Sequence, residues 1–154
     1  MEELVKKVEE KGINVEDVLL TALSKVDPEE SIRLRVQLAE KYMKELEDYI
    51  NKGDAVQASE KAYKVAEEIV KALAEKLKTP EYQQAMKEGR WYTYTLGKTV
   101  NNLAKKVGEW ILDGWNSAYF LHIWGFHEAK LSIDDITSYV SKVIKMYEEA
   151  RKII

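Results

Sequence analysis

The chain carries two histidines, His122 and His127, within the stretch AYFLHIWGFHE (118–128), and Glu128 directly follows the second. An imidazole changes charge near neutral pH, so it serves as general acid, general base or metal ligand. His127 follows Gly125 near an expected helix end, which suits an exposed or cleft-edge imidazole able to exchange protons. His122 shares a helical face with Trp115, Ala118 and Phe126, which suits a partly buried structural histidine. The catalytic candidates are therefore His127 first, with His122 and Glu128 behind it. Five residues along an α-helix correspond to about 140° of rotation. The two imidazoles then face different sides unless Gly125 breaks the helix. The four-residue spacing of a helical metal pair is absent and there is no cysteine, so no metal site and no cofactor is expected.

A second set of residues suits recognition. All four tryptophans and both phenylalanines fall between Trp91 and Phe126, with Tyr92, Tyr94 and Tyr119 among them. One reading is that these bulky rings fill the wide end of a helical bundle. The other is a cleft that stacks a base or another planar ligand, with Trp91, Tyr94, Lys98, Trp115 and Trp124 as ligand-binding candidates. Lys87, Trp91, Tyr94, Lys98 and Lys105 share one face if the helix there starts early. Such a basic and aromatic face suits nucleotide or single-stranded nucleic acid. Glu60, Lys64, Glu67, Lys71 and Glu75 step by three and four with alternating sign, which reads as a solvated helix face supported by i,i+4 pairs. No Ser-His-Asp order, phosphate-cradling glycine loop or calcium loop is present.

The elements that must position these residues are helices. With 154 residues, 45% of them hydrophobic, the chain suits one soluble domain (1–154) with a substantial core. A formal net charge of −3 excludes a global field drawing in nucleic acid or anionic membrane, so such binding needs a local patch. The longest apolar stretch, 118–126, is far too short for a membrane helix, and a cytoplasmic location is the default expectation.

Short helices are expected over 1–26, with Asn14 and Asp17 capping the second. Asp27-Pro28 reads as an N-cap followed by proline at the first helical position. A long hairpin should occupy 28–77. Its first helix has the seam Ile32, Val36, Ala39, Met43, Leu46 and Ile50. Gly53-Asp54 forms the turn, and the return helix has the seam Ala55, Ala58, Ala62, Val65, Ile69 and Leu73. Residues 79–91, with Thr79-Pro80 and Gly89, are expected to be the longest irregular stretch. The remaining helices should span 93–106, 109–127 (bent at Asp113-Gly114) and 133–153, the last opened by Ser132 and Asp135.

The stretches LAEKYMKELEDYINKGDAVQASEKAYKVAEEIVKALAEKL (38–77) and AYFLHIWGFHEAKL (118–131) resemble the PaREP family of archaeal proteins. The resemblance implies an all-α, HEPN-like antiparallel bundle of about five core helices with short N-terminal helices, and frequent dimerisation. Nuclease members of the wider HEPN group carry an arginine, then four to six residues, then a histidine. Before His122 those positions hold Trp115, Asn116 and Ser117; before His127 they hold Phe120, Leu121 and His122. Arg33, Arg35, Arg90 and Arg151 all lie elsewhere. A cation fixed on the phosphate is central to that chemistry. The leading expectation is thus a non-catalytic, homodimeric interaction module. The alternative is an RNA- or nucleotide-processing protein that uses the 91–128 aromatic region with His127.

Overall fold

A computed structural model describes residues 1–154 as eight α-helices and one seven-residue π-helical segment, without a strand. The helices are α1 (Glu2–Glu10), α2 (Val15–Ser24), α3 (Pro28–Asn51), α4 (Ala55–Lys76), α5 (Pro80–Glu88), α6 (Thr93–Val107), α7 (Trp110–Phe120) and α8 (Ile133–Arg151); the π segment, Leu121–His127, continues α7. The capping signals act as expected. Asp27 accepts from the Glu30 N–H ahead of Pro28, Asp54 accepts from the Gln57 N–H, and Ser132 with Asp135 completes a reciprocal capping box.

The helix α4 is the axis of the bundle. It packs on α3, α5, α6, α7, α8 and the π segment, and 15 of its 22 residues are buried. Its alanines, at 55, 58, 62, 66, 72 and 74, let so many neighbours approach closely. The core is completed by Leu96, Val100 and Leu103 from α6, Ile111 and Trp115 from α7, and Ile136, Val140, Val143 and Met146 from α8. Five long elements (α3, α4, α6, α7 with its π extension, and α8) build this core. By contrast, α1 buries no residue at all.

Three sequence expectations are corrected. Residues 79–91 are mostly helical, because Thr79-Pro80 repeats the logic of Asp27-Pro28: the Thr79 hydroxyl accepts from the Tyr82 N–H, and left-handed Gly89 ends α5. The helix α7 runs unbroken through Asp113-Gly114. Gly114 instead meets Met146 of α8 so closely that an added Cβ would lie 2.6 Å from its Cβ. The buried line of α3 is Ser31, Arg35, Ala39, Tyr42 and Leu46, rotated away from the all-apolar seam, while Ile32, Val36, Met43 and Ile50 are only half-buried.

That rotation turns Arg35 into the protein and matches it to α4. The Glu60–Glu75 line is not a solvated face: Lys71 and Glu75 are buried, as is Glu68 beside them. Arg35 donates from Nη1 to Glu68 (2.9 Å) and from Nη2 to Asp17 of α2 (3.1 Å). Lys71 Nζ lies 3.1 Å from Asp17 and 3.4 Å from Glu68. The Trp91 backbone N–H donates to the other Asp17 oxygen at 2.9 Å. Two cations and two carboxylates thus neutralise one another. Burial alone would raise the Asp17 carboxyl, but Lys71, Arg35 and the Trp91 N–H hold it below its ordinary value. Next to this quartet, Glu75 accepts from Ser24 and from Ser31.

Removing one cation leaves buried carboxylates uncompensated. Arg35→Ala should therefore cost about 3–5 kcal/mol of folding stability, read as a loss of the denaturation midpoint in urea. A midpoint within experimental error of the parent would show that the quartet does not hold α2, α3 and α4 together.

Candidate functional site

Past Phe120 the backbone hydrogen bonding of α7 widens. The Glu128 N–H donates to Ile123 O at 2.8 Å, five residues back, and the Lys130 N–H donates to Trp124 O at 2.9 Å. A π turn of this kind inserts a residue and rotates everything after it, and such turns recur at functional sites. Here a close approach accompanies it. A Cβ on Gly125 would fall 2.1 Å from Ser59 Oγ and 2.5 Å from Ser59 Cβ, so only glycine lets this segment lie against α4.

The rotation brings the two histidines together, correcting the α-helical expectation that they face different sides. His127 Nε2 lies 3.1 Å from His122 Nε2, with the rings nearly perpendicular at 76°. His122 Nδ1 lies 2.8 Å from Glu60 Oε1 of α4, and its ring stacks on Tyr63 at 3.9 Å. With Glu60 as a carboxylate, Nδ1 of His122 carries the proton it donates. With the shared proton on His127, His122 Nε2 accepts from the Nε2–H of His127, and the Nδ1 lone pair of His127 is the outermost base of a three-residue chain. His122 is half-buried and His127 exposed, as their sequence contexts suggested.

About two turns beyond Glu60 along α4 lies Glu67. Burial pushes its carboxyl up to about 7; Lys71 opposes this, Glu68 and Glu60 reinforce it, and His122 opposes it weakly. Glu67 stays half-buried because it lines a cavity of about 170 Å³ together with Asp17, Lys71, Arg90, Trp91 and Tyr92. The stripe Glu60–Tyr63–Glu67–Lys71 therefore runs from the histidine pair at the surface to the buried ion quartet.

The aromatic candidates divide between core and surface. Trp91 is 5% exposed and serves Asp17 through its backbone, while Trp115 is buried against Tyr63, ring centroids 5.7 Å apart. Both are core residues, so neither presents a stacking face to ligand. Tyr94 is 57% exposed and Trp124 45%. Lys87 belongs to α5, so the single helical face drawn from Lys87 to Lys105 does not form. A different surface ladder replaces it. Arg90 lies over the Tyr92 ring (4.6 Å), Tyr92 stacks with Tyr94 (5.9 Å), and Lys98 Nζ lies 5.6 Å from the Tyr94 centroid. Glu128 is exposed, and its backbone N–H helps close the π turn. Thr93, beside this ladder, lies against the Tyr63 hydroxyl.

Glu60, Tyr63 and Glu67 escaped the sequence reading. Their i,i+4 charge pattern looked like an ordinary solvated face, and Glu60 finds His122 only across 62 positions of chain. No three or more His, Asp or Glu side chains converge to hold a metal ion, and no helix is long and apolar enough to cross a membrane.

Fold and site together define an all-α bundle wrapped around one charged central helix, with a histidine pair displayed by a π turn. Residues 34–147 match the model of the archaeal PaREP1/PaREP8 family, and the chain belongs to that family. It is also similar to a Sulfolobus solfataricus protein of known crystal structure, at 36% identity and a TM-score of 0.68, covering 74% of this chain and 93% of that one. No curated protein matches the chain.

The raised Glu67 carboxyl sets a pH dependence. Between its ordinary value of 4.5 and about 7, the unfolded chain has released this proton and the folded chain still holds it. The unfolded state therefore gains relative stability as pH rises through that window, and the loss is complete above about 7. Glu67→Gln should remove the effect, raising Tm relative to the parent at pH 8 and leaving it unchanged at pH 4. Equal shifts at both pH values would contradict a neutral Glu67.

Proposed function

We propose that this protein binds and processes RNA or a nucleotide, with His127 as general base at the end of the Glu60–His122–His127 chain. That chain is the observation on which the reading rests. His127 Nδ1 takes a proton from a hydroxyl or water nucleophile. The positive charge then spreads to His122, whose Nδ1–H faces the Glu60 carboxylate, so the imidazolium forms beside a compensating anion. The Arg90–Tyr92–Tyr94–Lys98 ladder supports the choice of substrate. Two exposed rings offer stacking faces to bases, and the flanking cations suit phosphate. The helix α6 carries Lys98, Lys105 and Lys106 and no acidic residue, in a chain that is acidic overall. The reading keeps a HEPN-like scaffold but not the HEPN nuclease motif, since no arginine precedes either histidine at the required spacing.

The assay is binding and turnover of single-stranded RNA oligonucleotides and free nucleotides, with EDTA present. Tyr92→Ala and Tyr94→Ala should each weaken binding about tenfold, within the range for one lost base stack. His127→Ala should leave binding intact and slow turnover by about 10²–10⁴-fold. Binding that ignores both tyrosines, or turnover that survives in His127→Ala, would reject the assignment.

A homodimeric interaction module is a second reading, and one surface favours it. On α3 the apolar line Leu34, Leu38, Tyr42 and Tyr49 is only partly covered. Tyr42 is buried, yet Leu34 and Leu38 stay half-buried and wall an open groove with Leu19 and Leu20 of α2. Leu19 is 64% exposed. Exposed apolar surface of this kind suits a two-fold partner. Light scattering at micromolar concentration should give twice the chain mass, and Leu38→Glu should halve it. A mass near 17.8 kDa, unchanged on concentration, removes this reading.

A further inference from the structure

We infer that His122 and His127 together hold a divalent transition-metal ion between their Nε2 atoms. The two nitrogens are 3.1 Å apart and face one another. An ion at the usual metal–imidazole distance of about 2.0–2.1 Å from each would see them about 98° apart, between octahedral and tetrahedral geometry. The other ring nitrogen of His122 is already engaged by Glu60 at 2.8 Å. A carboxylate on the far nitrogen of a metal-binding histidine is the common arrangement, because it fixes the tautomer and points the lone pair of Nε2 at the ion. Tyr63, stacked at 3.9 Å, holds the plane of that ring. The contact of Gly125 with Ser59 holds the π turn that carries both histidines against α4.

The chemistry of the pair narrows the ion. Two neutral imidazoles and no carboxylate at the binding atoms suit zinc, copper or nickel and discriminate against magnesium and calcium. Since no third protein ligand converges, the remaining coordination positions belong to water or substrate. His127 is exposed, which gives the ion a direct way in. In the metal-free protein the same two nitrogens share one proton. Binding moves that proton from Nε2 to Nδ1 of His127 through solvent, leaving both Nε2 lone pairs for the metal. The inference goes beyond the nucleotide reading and stands on the geometry of the pair alone.

The test is titration of the chelator-treated full-length protein with copper(II), followed by electron paramagnetic resonance, and with zinc by calorimetry. One equivalent should bind, with hyperfine coupling to two nitrogens. His122→Ala and His127→Ala should each weaken binding at least tenfold, and Glu60→Gln by about 10–100-fold. Tyr92→Ala, on the separate ladder, should not change it. Circular dichroism melting of each variant separates lost folding from lost ligation. Because His127 is exposed, His127→Ala is the variant expected to keep its Tm. Absence of binding at millimolar metal overturns the inference, and so does one equivalent indifferent to either histidine. Nucleotide binding measured in EDTA is independent of this outcome, so failure of one reading leaves the other standing.

Discussion

The mutual neutralisation of Asp17, Arg35, Glu68 and Lys71 is the constraint around which the bundle is organised. Each charge alone would cost several kcal/mol to bury. Together they leave no net charge, and the Trp91 N–H fills a remaining acceptor of Asp17. The quartet joins α2 to α3 and α4 and fastens the connection between α5 and α6. It also sets the rotation of α3: Arg35 must face α4, so the apolar positions 32, 36, 43 and 50 move toward the edge. A purely hydrophobic interface would have allowed the helices to slide or rotate over small residues. A four-charge arrangement with distances near 3 Å tolerates far less.

The same central helix carries that polarity outward. From Lys71 the line continues through Glu67 and Tyr63 to Glu60, and so to the histidines. Glu67 lies between a fully ion-paired interior and an exposed imidazole pair. It lacks a cation of its own, because Lys71 is already engaged by Asp17 and Glu68. That is why burial pushes it up to about 7 while Asp17, a short distance away, is held low. Two neighbouring carboxylates are thus shifted in opposite directions, Glu67 upward by burial and Asp17 downward by its cationic partners and the Trp91 N–H.

The π turn is the other decisive feature. An α-helical continuation of α7 would have pointed His127 away from His122. The wider turn overlays residues five apart, and the missing Cβ of Gly125 lets the segment settle on Ser59. The cost is visible at Ser59, whose hydroxyl is buried without a partner. The local helix gives up regular hydrogen bonding, and the histidine pair is what the altered geometry produces.

Much of this molecule was written locally. Helix-period seams, the Asp27-Pro28, Gly53-Asp54 and Ser132–Asp135 caps, and the apolar face of α4 determined the all-α bundle and its long hairpin, because capping and amphipathic period depend on neighbours within one or two turns. Thr79-Pro80 carried the same signal for α5, although Gly89 and the shortness of the segment made it look like a connection. The sequence also indicated the contrast between half-buried His122 and exposed His127. Only tertiary structure decided which charged residues lie inside. Glu68, Lys71 and Glu75 follow the same i,i+4 pattern as solvated pairs, and what buries them is the arrival of Arg35 and α2 from distant parts of the chain. Likewise, no local pattern joins Glu60 to His122, or turns Trp91 inward and Tyr92 outward. Those outcomes depend on the rotation of whole helices about α4, which long-range charge pairing and close packing set together.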